Sequence, residues 1–317
     1  MADLNILFMG TPDFARTILQ SLLDSGENII AAVTQPDKPF GRKKILTPPP
    51  VKELALAHNI PVYQPERLKD GAFADTLTAL NPDLIIVVAY GRILPTYILD
   101  YPKYGCVNIH ASILPRWRGA APIQRAVMAG DTLSGVTVQY MAEGIDTGDV
   151  IATVETPITP DMDYGMLHDQ LARDGCTAIA QTLADIRGGT VVRKVQDDSL
   201  ATYAAKIENP DCALDFSRPA AEVVNQIRGL SPVPLAIALL PDGRKLKIAA
   251  ARRTEDSTDA APGTVLSADK TGIRIACADT VILVTEVQLE GKNRMRAADF
   301  VNGRAIAAGD VLGTPEL

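Results

Sequence analysis

The chain is 317 residues long, 47% hydrophobic and 22% charged, with a formal net charge of −7. Those proportions fit a soluble globular protein of one large or two ordinary domains, and the net acidity speaks against a general nucleic-acid binder unless basic residues gather in patches. The opening "MADLNILFMGTPDF" has no basic leader, and its apolar run is too short for a signal peptide or a membrane span.

"LNILFMG" reads as a buried strand ending in Gly10-Thr11-Pro12, and residues 13–25 follow as a helix with Phe14, Ile18, Leu22 and Leu23 on one face. Further strands are expected at 28–35, 62–65, 83–90 and 105–111, separated by helical stretches such as "AFADTLTAL". Strands spaced by helices predict an α/β, Rossmann-like, doubly wound parallel sheet, with ligands at the carboxyl ends of its strands. Residues 135–141 and 149–158 read as a closing strand pair, and a long helix over 163–187 ends at Gly188-Gly189. The texture then changes to a linker over 190–207, a helix over 220–230, and short strands with turn signals, Asp242-Gly243 marking a hairpin. The expected organisation is therefore a Rossmann-like domain over 1–189, the linker, and a small OB-like β-barrel over 208–317. Cys106, Cys176, Cys212 and Cys277 lie far apart with no C-x-x-C pair, so they read as reduced thiols of a cytosolic protein rather than a disulfide framework or zinc site.

Chemistry concentrates in "CVNIHASILPRWRGAAP", residues 106–122. Asn108 and His110 are two apart on a strand and so face one side. Asparagine offers a donor for a developing oxyanion, and histidine moves a proton near neutral pH. Such a pair suits acyl transfer to an amine, with an acidic partner still needed; Asp146, on the glycine-flanked loop of "AEGIDTGDVI", supplies one. No serine or cysteine stands in a triad-like context, which points to direct transfer. The plainer alternative, a satisfied core histidine with Asp146 capping a turn, stays open on these residues alone. His58 and His168 have no ligand at metal spacing, and no metal is expected.

"NIHASILPRWRGAAPIQRA" and "GVTVQYMAEGIDTGDVI" together resemble the formyltransferases that use 10-formyltetrahydrofolate, whose signature is Asn-x-His, Ser-Leu-Leu-Pro and an Asp about 36 residues beyond the His, the separation of His110 from Asp146 here. "FMGTPDFA", "TQPDKPFGRKKILTPPPVK", "VVAYGRILP" and "GKNRMRAADFVNG" extend the resemblance over nearly the whole chain. It implies formyl transfer from that folate co-substrate to the α-amino group of a methionine-charged initiator tRNA, held by its acceptor arm, in a monomeric cytoplasmic enzyme without a membrane partner. Asn108 would hold the formyl oxygen, His110 would donate to it, and Asp146 would orient the histidine and help pass a proton. Ser112, Ile113, Leu114 and Pro115 would line the folate site, with Ala89, Tyr90, Gly91, Ile93, Leu94 and the 139–146 loop walling in the pterin. Ile113 stands for the usual Leu, Ala142 stands where many relatives carry Asp, and "LSPVPLA" replaces a Pro-Trp-Pro-Gly-Ala pattern in the second domain.

The stretch "PDKPFGRKKILTPPPVK" carries Lys38, Arg42, Lys43, Lys44 and Lys52 against Asp37, a net +4 in an acidic chain. A long Pro-rich loop of that charge after a strand's carboxyl end suits a phosphate-bearing substrate. It is expected to be mobile, its lysines having no evident acidic partner and its prolines forbidding a sheet ladder. The resemblance places Lys38, Arg42, Lys43 and Lys44 against tRNA, with Arg252, Arg253 and 291–296 as further basic support. Two rivals remain: formylation of a small amine, such as a nucleotide-linked amino sugar or glycinamide ribonucleotide, and a nicotinamide-dependent or non-enzymatic Rossmann domain. Gly10-Thr11-Pro12 lacks the glycine-rich phosphate loop that the last would need.

Overall fold

A computed structural model describes residues 4–41, 44–303 and 305–316. Two compact units emerge. The first takes the chain up to Pro122, Leu133–Pro157 and His168–Ala204; the second takes Ile123–Thr132, Ile158–Leu167 and the chain from Ala205 on.

The first unit is built on a seven-stranded sheet in the spatial order Val150–Pro157, Leu133–Tyr140, Cys106–His110, Leu84–Val88, Ile6–Gly10, Ile29–Val33, Val62–Tyr63. The last five are parallel, and the first two run antiparallel at one edge. Ile6–Gly10 and Leu84–Val88 are buried at every position, as parallel strands covered on both faces must be. Strand order reverses between these two, so the crevice for a ligand opens at their carboxyl ends. Cys106–His110 is the next strand over, which puts the Asn108–His110 pair beside that switch point. The expected parallel sheet and closing antiparallel pair are both present.

The reading of the 36–52 stretch needs correction in two respects. Lys38–Phe40 and Ile45–Thr47 form a two-stranded antiparallel ribbon in which Pro39 lies opposite Leu46. A proline that cannot donate is tolerated there because each strand has only one neighbour. Lys52 also has an acidic partner, Asp37, 2.8 Å away.

In the second unit the antiparallel sheet runs Ala236–Leu239, Lys245–Arg253, Val281–Leu289, Gly272–Ala276, Val265–Asp269, with Met295–Arg296 added to Val281–Leu289. Val311 bridges Thr264 and Gly313 bridges Leu239, so the C-terminal segment joins the two outer strands into a small barrel. Asp242-Gly243 turns the first hairpin, with Gly243 at φ 83° and Asp242 accepting from the Arg244 N–H. Helix Ala220–Leu230 buries Val223, Val224, Ile227 and Leu230 in this unit's core, and Met128, from the Ile123–Thr132 segment, packs on it too. The altered "LSPVPLA" turn now has a physical reading. Leu235 stands where the common pattern has glycine, and it adopts φ 77° while 4% exposed. Its strained left-handed backbone is offset by burying a leucine side chain.

Candidate active site

The register of the two strands assembles the site. Asn108 lies opposite Gln139 and His110 opposite Thr137 in the antiparallel pair, so four polar side chains share one face. Thr137 pins the turn that follows the histidine: its hydroxyl donates to the Ser112 carbonyl at 2.7 Å and accepts from the Leu114 N–H at 3.1 Å. That turn contains a cis Leu114–Pro115 bond, and Ser112 closes it by donating to the Arg116 carbonyl at 2.6 Å.

The loop carrying Asp146 leaves the sheet beside Cys106, where the Met141 N–H donates to the Cys106 carbonyl at 2.8 Å, and folds back along the strand to reach His110. Its return is possible only at glycine: a Cβ on Gly148 would lie 1.6 Å from the Tyr140 carbonyl oxygen. Asp146 itself has φ 53°, a region sparsely used by any residue with a Cβ. Its carboxylate collects the Gly119 N–H at 2.9 Å, the Gln139 amide at 3.0 Å and the Asn108 amide at 3.4 Å.

His110 is 6% exposed, and the strong bond to its ring comes from elsewhere than the aspartate. Nε2 lies 2.9 Å from the Trp117 carbonyl, which can only accept, so Nε2 carries the proton. Nδ1 faces Asp146 at 3.6 Å, close enough for charge stabilisation but longer than a good hydrogen bond. The tautomer is thus set by a backbone carbonyl. Trp117, at φ 62°, is held in place by the Thr202 hydroxyl, which accepts its N–H at 2.9 Å, while its ring stacks with the Arg116 guanidinium. Cys106 on the same strand is no competing nucleophile: burial pushes its thiol up to about 12.

The segment expected to wall in a ligand divides in two. Tyr90 and Leu94 point into the core, whereas Ala89, at φ 44°, Gly91 and Ile93 are exposed. Ser112 and Leu114 are buried and Ile113 and Pro115 half-buried, so this turn can offer mainly its backbone to a bound molecule. Of the basic residues, Lys38 and Lys44 are exposed on the ribbon, and Arg42 and Lys43 lie outside the described residues. Lys52 bonds both Asp37 oxygens and Gln64, whose amide also donates to Asp37 and the Gln35 carbonyl. Those bonds, Lys52's first and Gln64's second, hold the Asp37 carboxyl below the usual range. In the second unit Arg253, Arg294 and Arg296 each lie against a carboxylate, those of Glu255, Glu286 and Asp299. Surface pairs of this kind contribute little and can be exchanged for phosphate.

Sequence reasoning missed Gln139, Gln196 and the Trp117 carbonyl. Gln139 had a signal, since Thr137 and Gln139 alternate with Val136 and Val138 in "GVTVQYM". The other two left none.

Comparison with known proteins gives the family of the chain. The family described as formyl transferase matches residues 4–183, and its C-terminal domain matches residues 206–305. A methionyl-tRNA formyltransferase of Bacillus licheniformis is 47% identical over 97% of this chain and 98% of its own. One of Pseudomonas syringae is 49% identical over 98% of each. Among solved structures, HypX of Aquifex aeolicus in complex with tetrahydrofolic acid shares the fold, with a TM-score of 0.63 at 17% identity over 95% of this chain; the chain spans about half (47%) of that protein.

Proposed function

The chain belongs to the formyl transferase family, and from that premise we propose that it transfers the formyl group of 10-formyltetrahydrofolate to the α-amino group of methionyl-initiator tRNA. The observation that carries this reading is the likeness, at 47–49% identity over nearly the full length, to methionyl-tRNA formyltransferases. The residues of the site suit the chemistry. Asn108 has a second amide hydrogen besides the one turned to Asp146, and donates it to the formyl oxygen that gains negative charge as the amine adds. Because Nε2 of His110 is committed to the Trp117 carbonyl, the ring does not donate to the formyl oxygen as the resemblance implied; Nδ1 instead takes a proton from the attacking amine. The imidazolium so formed has the Asp146 carboxylate at 3.6 Å on that side, and it gives the proton to N10 of the folate as the bond from N10 to the formyl carbon breaks and tetrahydrofolate leaves. Ala89, Gly91, Ile93 and the backbone of Ser112–Pro115 hold the folate, Ile93 offering an apolar surface to its flat ring. Lys38, Arg42, Lys43 and Lys44 take the phosphates of the acceptor arm. Four free cysteines and the lack, among the described residues, of a helix long and apolar enough to cross a membrane support a cytoplasmic setting.

The test offers 10-formyltetrahydrofolate with charged initiator tRNA, charged elongator tRNA and free methionine in parallel. Formylation of the initiator alone, or by far the fastest, is expected. Equal use of free methionine would return the chain to the small-amine reading.

A further inference from the structure

The loop that presents Asp146 has no apolar anchor of its own: residues 142–145 and Thr147 are exposed. What holds it comes from a segment some fifty residues later. Lys194 and Val150 exchange backbone hydrogen bonds of 2.8 and 2.9 Å, docking residues 194–204 alongside the loop. From there the Gln196 side chain enters the loop. Its amide nitrogen lies 2.8 Å from the Asp146 carbonyl, 2.7 Å from the Gly148 carbonyl and 3.3 Å from Gln139 Oε1. Two hydrogens serve the two short contacts, so the backbone is gripped on both sides of Thr147.

The other end of the same amide is held as firmly. Arg118, whose side chain is 2% exposed, donates from Nε and a terminal nitrogen to Gln196 Oε1, at 3.1 and 2.8 Å. It reaches Asp198 at 2.7 Å as well. This buried cation orients the amide so that its NH2 end can only face the loop carbonyls. The neighbouring residue, Gly119, gives its N–H to the Asp146 carboxylate, and its strand pairs with Tyr203–Ala204 of the same late segment. Backbone and carboxylate of Asp146 are therefore fixed by one connected network.

We propose that Gln196 is a positioning residue: by gripping the Asp146 and Gly148 carbonyls, with Arg118 orienting its amide, it sets the Asp146 carboxylate against Nδ1 of His110. The inference rests on the formyl-transfer reading of that site. It predicts that Gln196→Ala lowers kcat about tenfold, within the range of couplings inside one hydrogen-bond network, with KM for folate and for charged tRNA within about twofold. Gln196→Glu keeps the acceptor for Arg118 but turns a second acceptor on the loop carbonyls, so it should fare no better than Ala. Since Gln196 acts through Asp146, adding Gln196→Ala to Asp146→Asn should cost about twofold or less in single-turnover rate.

A second readout needs no substrate. The chain has three histidines, so ring resonances in the free protein are readily assigned. Gln196→Ala should move those of His110 and leave those of His58 and His168 in place. The proposal is overturned by an unmoved His110 signal, by full activity in Gln196→Glu, or by an undiminished penalty in the Asp146→Asn background. Failure of the unaltered protein to formylate charged tRNA would instead sink the assigned reaction, and the His110 signal would still decide the role of Gln196.

Discussion

Asp146 and Lys38 stand on two loops of the same unit, yet the chain holds them in opposite ways. The Asp146 loop is pinned at the carboxylate by Gly119, Gln139 and Asn108 and at the backbone by Gln196. The ribbon carrying Lys38 is fastened at its base by the Lys52–Asp37–Gln64 cluster, and Ile45 and Leu46 on it are 62% and 64% exposed. The difference follows from what each must meet. A developing charge is stabilised most by groups already in place, since reorganisation at the moment of reaction would be lost rate. A phosphate backbone is met by flexible cations at a charged surface, where adaptability costs little.

The comparison breaks first, and most heavily, at the rigid end. His110→Ala should cut single-turnover formylation by about 10² to 10³, as expected for loss of a group acting in the transition state, with folate binding largely kept. Asp146→Asn should act in the same direction with a smaller effect, because the Trp117 carbonyl, and not Asp146, sets the tautomer here. An undiminished rate in His110→Ala would remove the assigned chemistry altogether.

How much of this contrast the sequence discloses depends on range. Asn108 and His110 are found from period-two alternation and from strand-end placement, both local rules, and the two strand–helix textures of the halves are equally local. Gln196 sits in a stretch without apolar periodicity, which reads as a linker because its partners are 48 to 78 residues away. The Trp117 carbonyl is invisible for another reason: a backbone acceptor has no side-chain signature, and only the turn geometry aims it. Among Ala89–Leu94 no pattern says that Tyr90 and Leu94 turn inward while Ile93 turns out. The ribbon of Lys38–Phe40 and Ile45–Thr47 is hidden in the sequence by Pro39 and by the prolines that flank it, since a two-stranded ribbon accommodates a proline that a sheet interior would not.

In the basic stretch, Arg42→Ala should raise KM for charged tRNA at least tenfold, about 1.4 kcal/mol. It should also reduce the salt slope of tRNA binding by about one unit per lost phosphate contact. Folate binding should be unchanged. Unaltered tRNA kinetics and salt slope would reduce the basic stretch to a solvated surface feature and reopen the small-amine reading.

The finest cut falls at the base of the ribbon, where the two regimes meet. Lys52 is counted among the basic residues of the stretch, but its ammonium is spent on Asp37 and Gln64, both at 2.8 Å. Gln64 passes the restraint to the Gln35 carbonyl, and the Gln35 side chain in turn bonds the Tyr90 carbonyl and Arg92. So Lys52 positions the ribbon relative to the Ala89–Leu94 edge rather than offering charge to RNA. Lys52→Met keeps most of the side chain's length, removes the cation and leaves Asp37 with Gln64 as its remaining partner, while Gln64 keeps its bond to the Gln35 carbonyl. We expect KM for charged tRNA to rise about threefold, the scale of a part-exposed ion pair, with kcat unchanged and hydrogen exchange faster in Lys38–Phe40 and Ile45–Thr47. Because the lost charge is not one that meets phosphate, the salt slope of tRNA binding should stay as it was, unlike that of Arg42→Ala. A slope reduced by a full unit would place Lys52 among the phosphate contacts, and the ribbon would then have no anchor distinct from its cargo-facing charges.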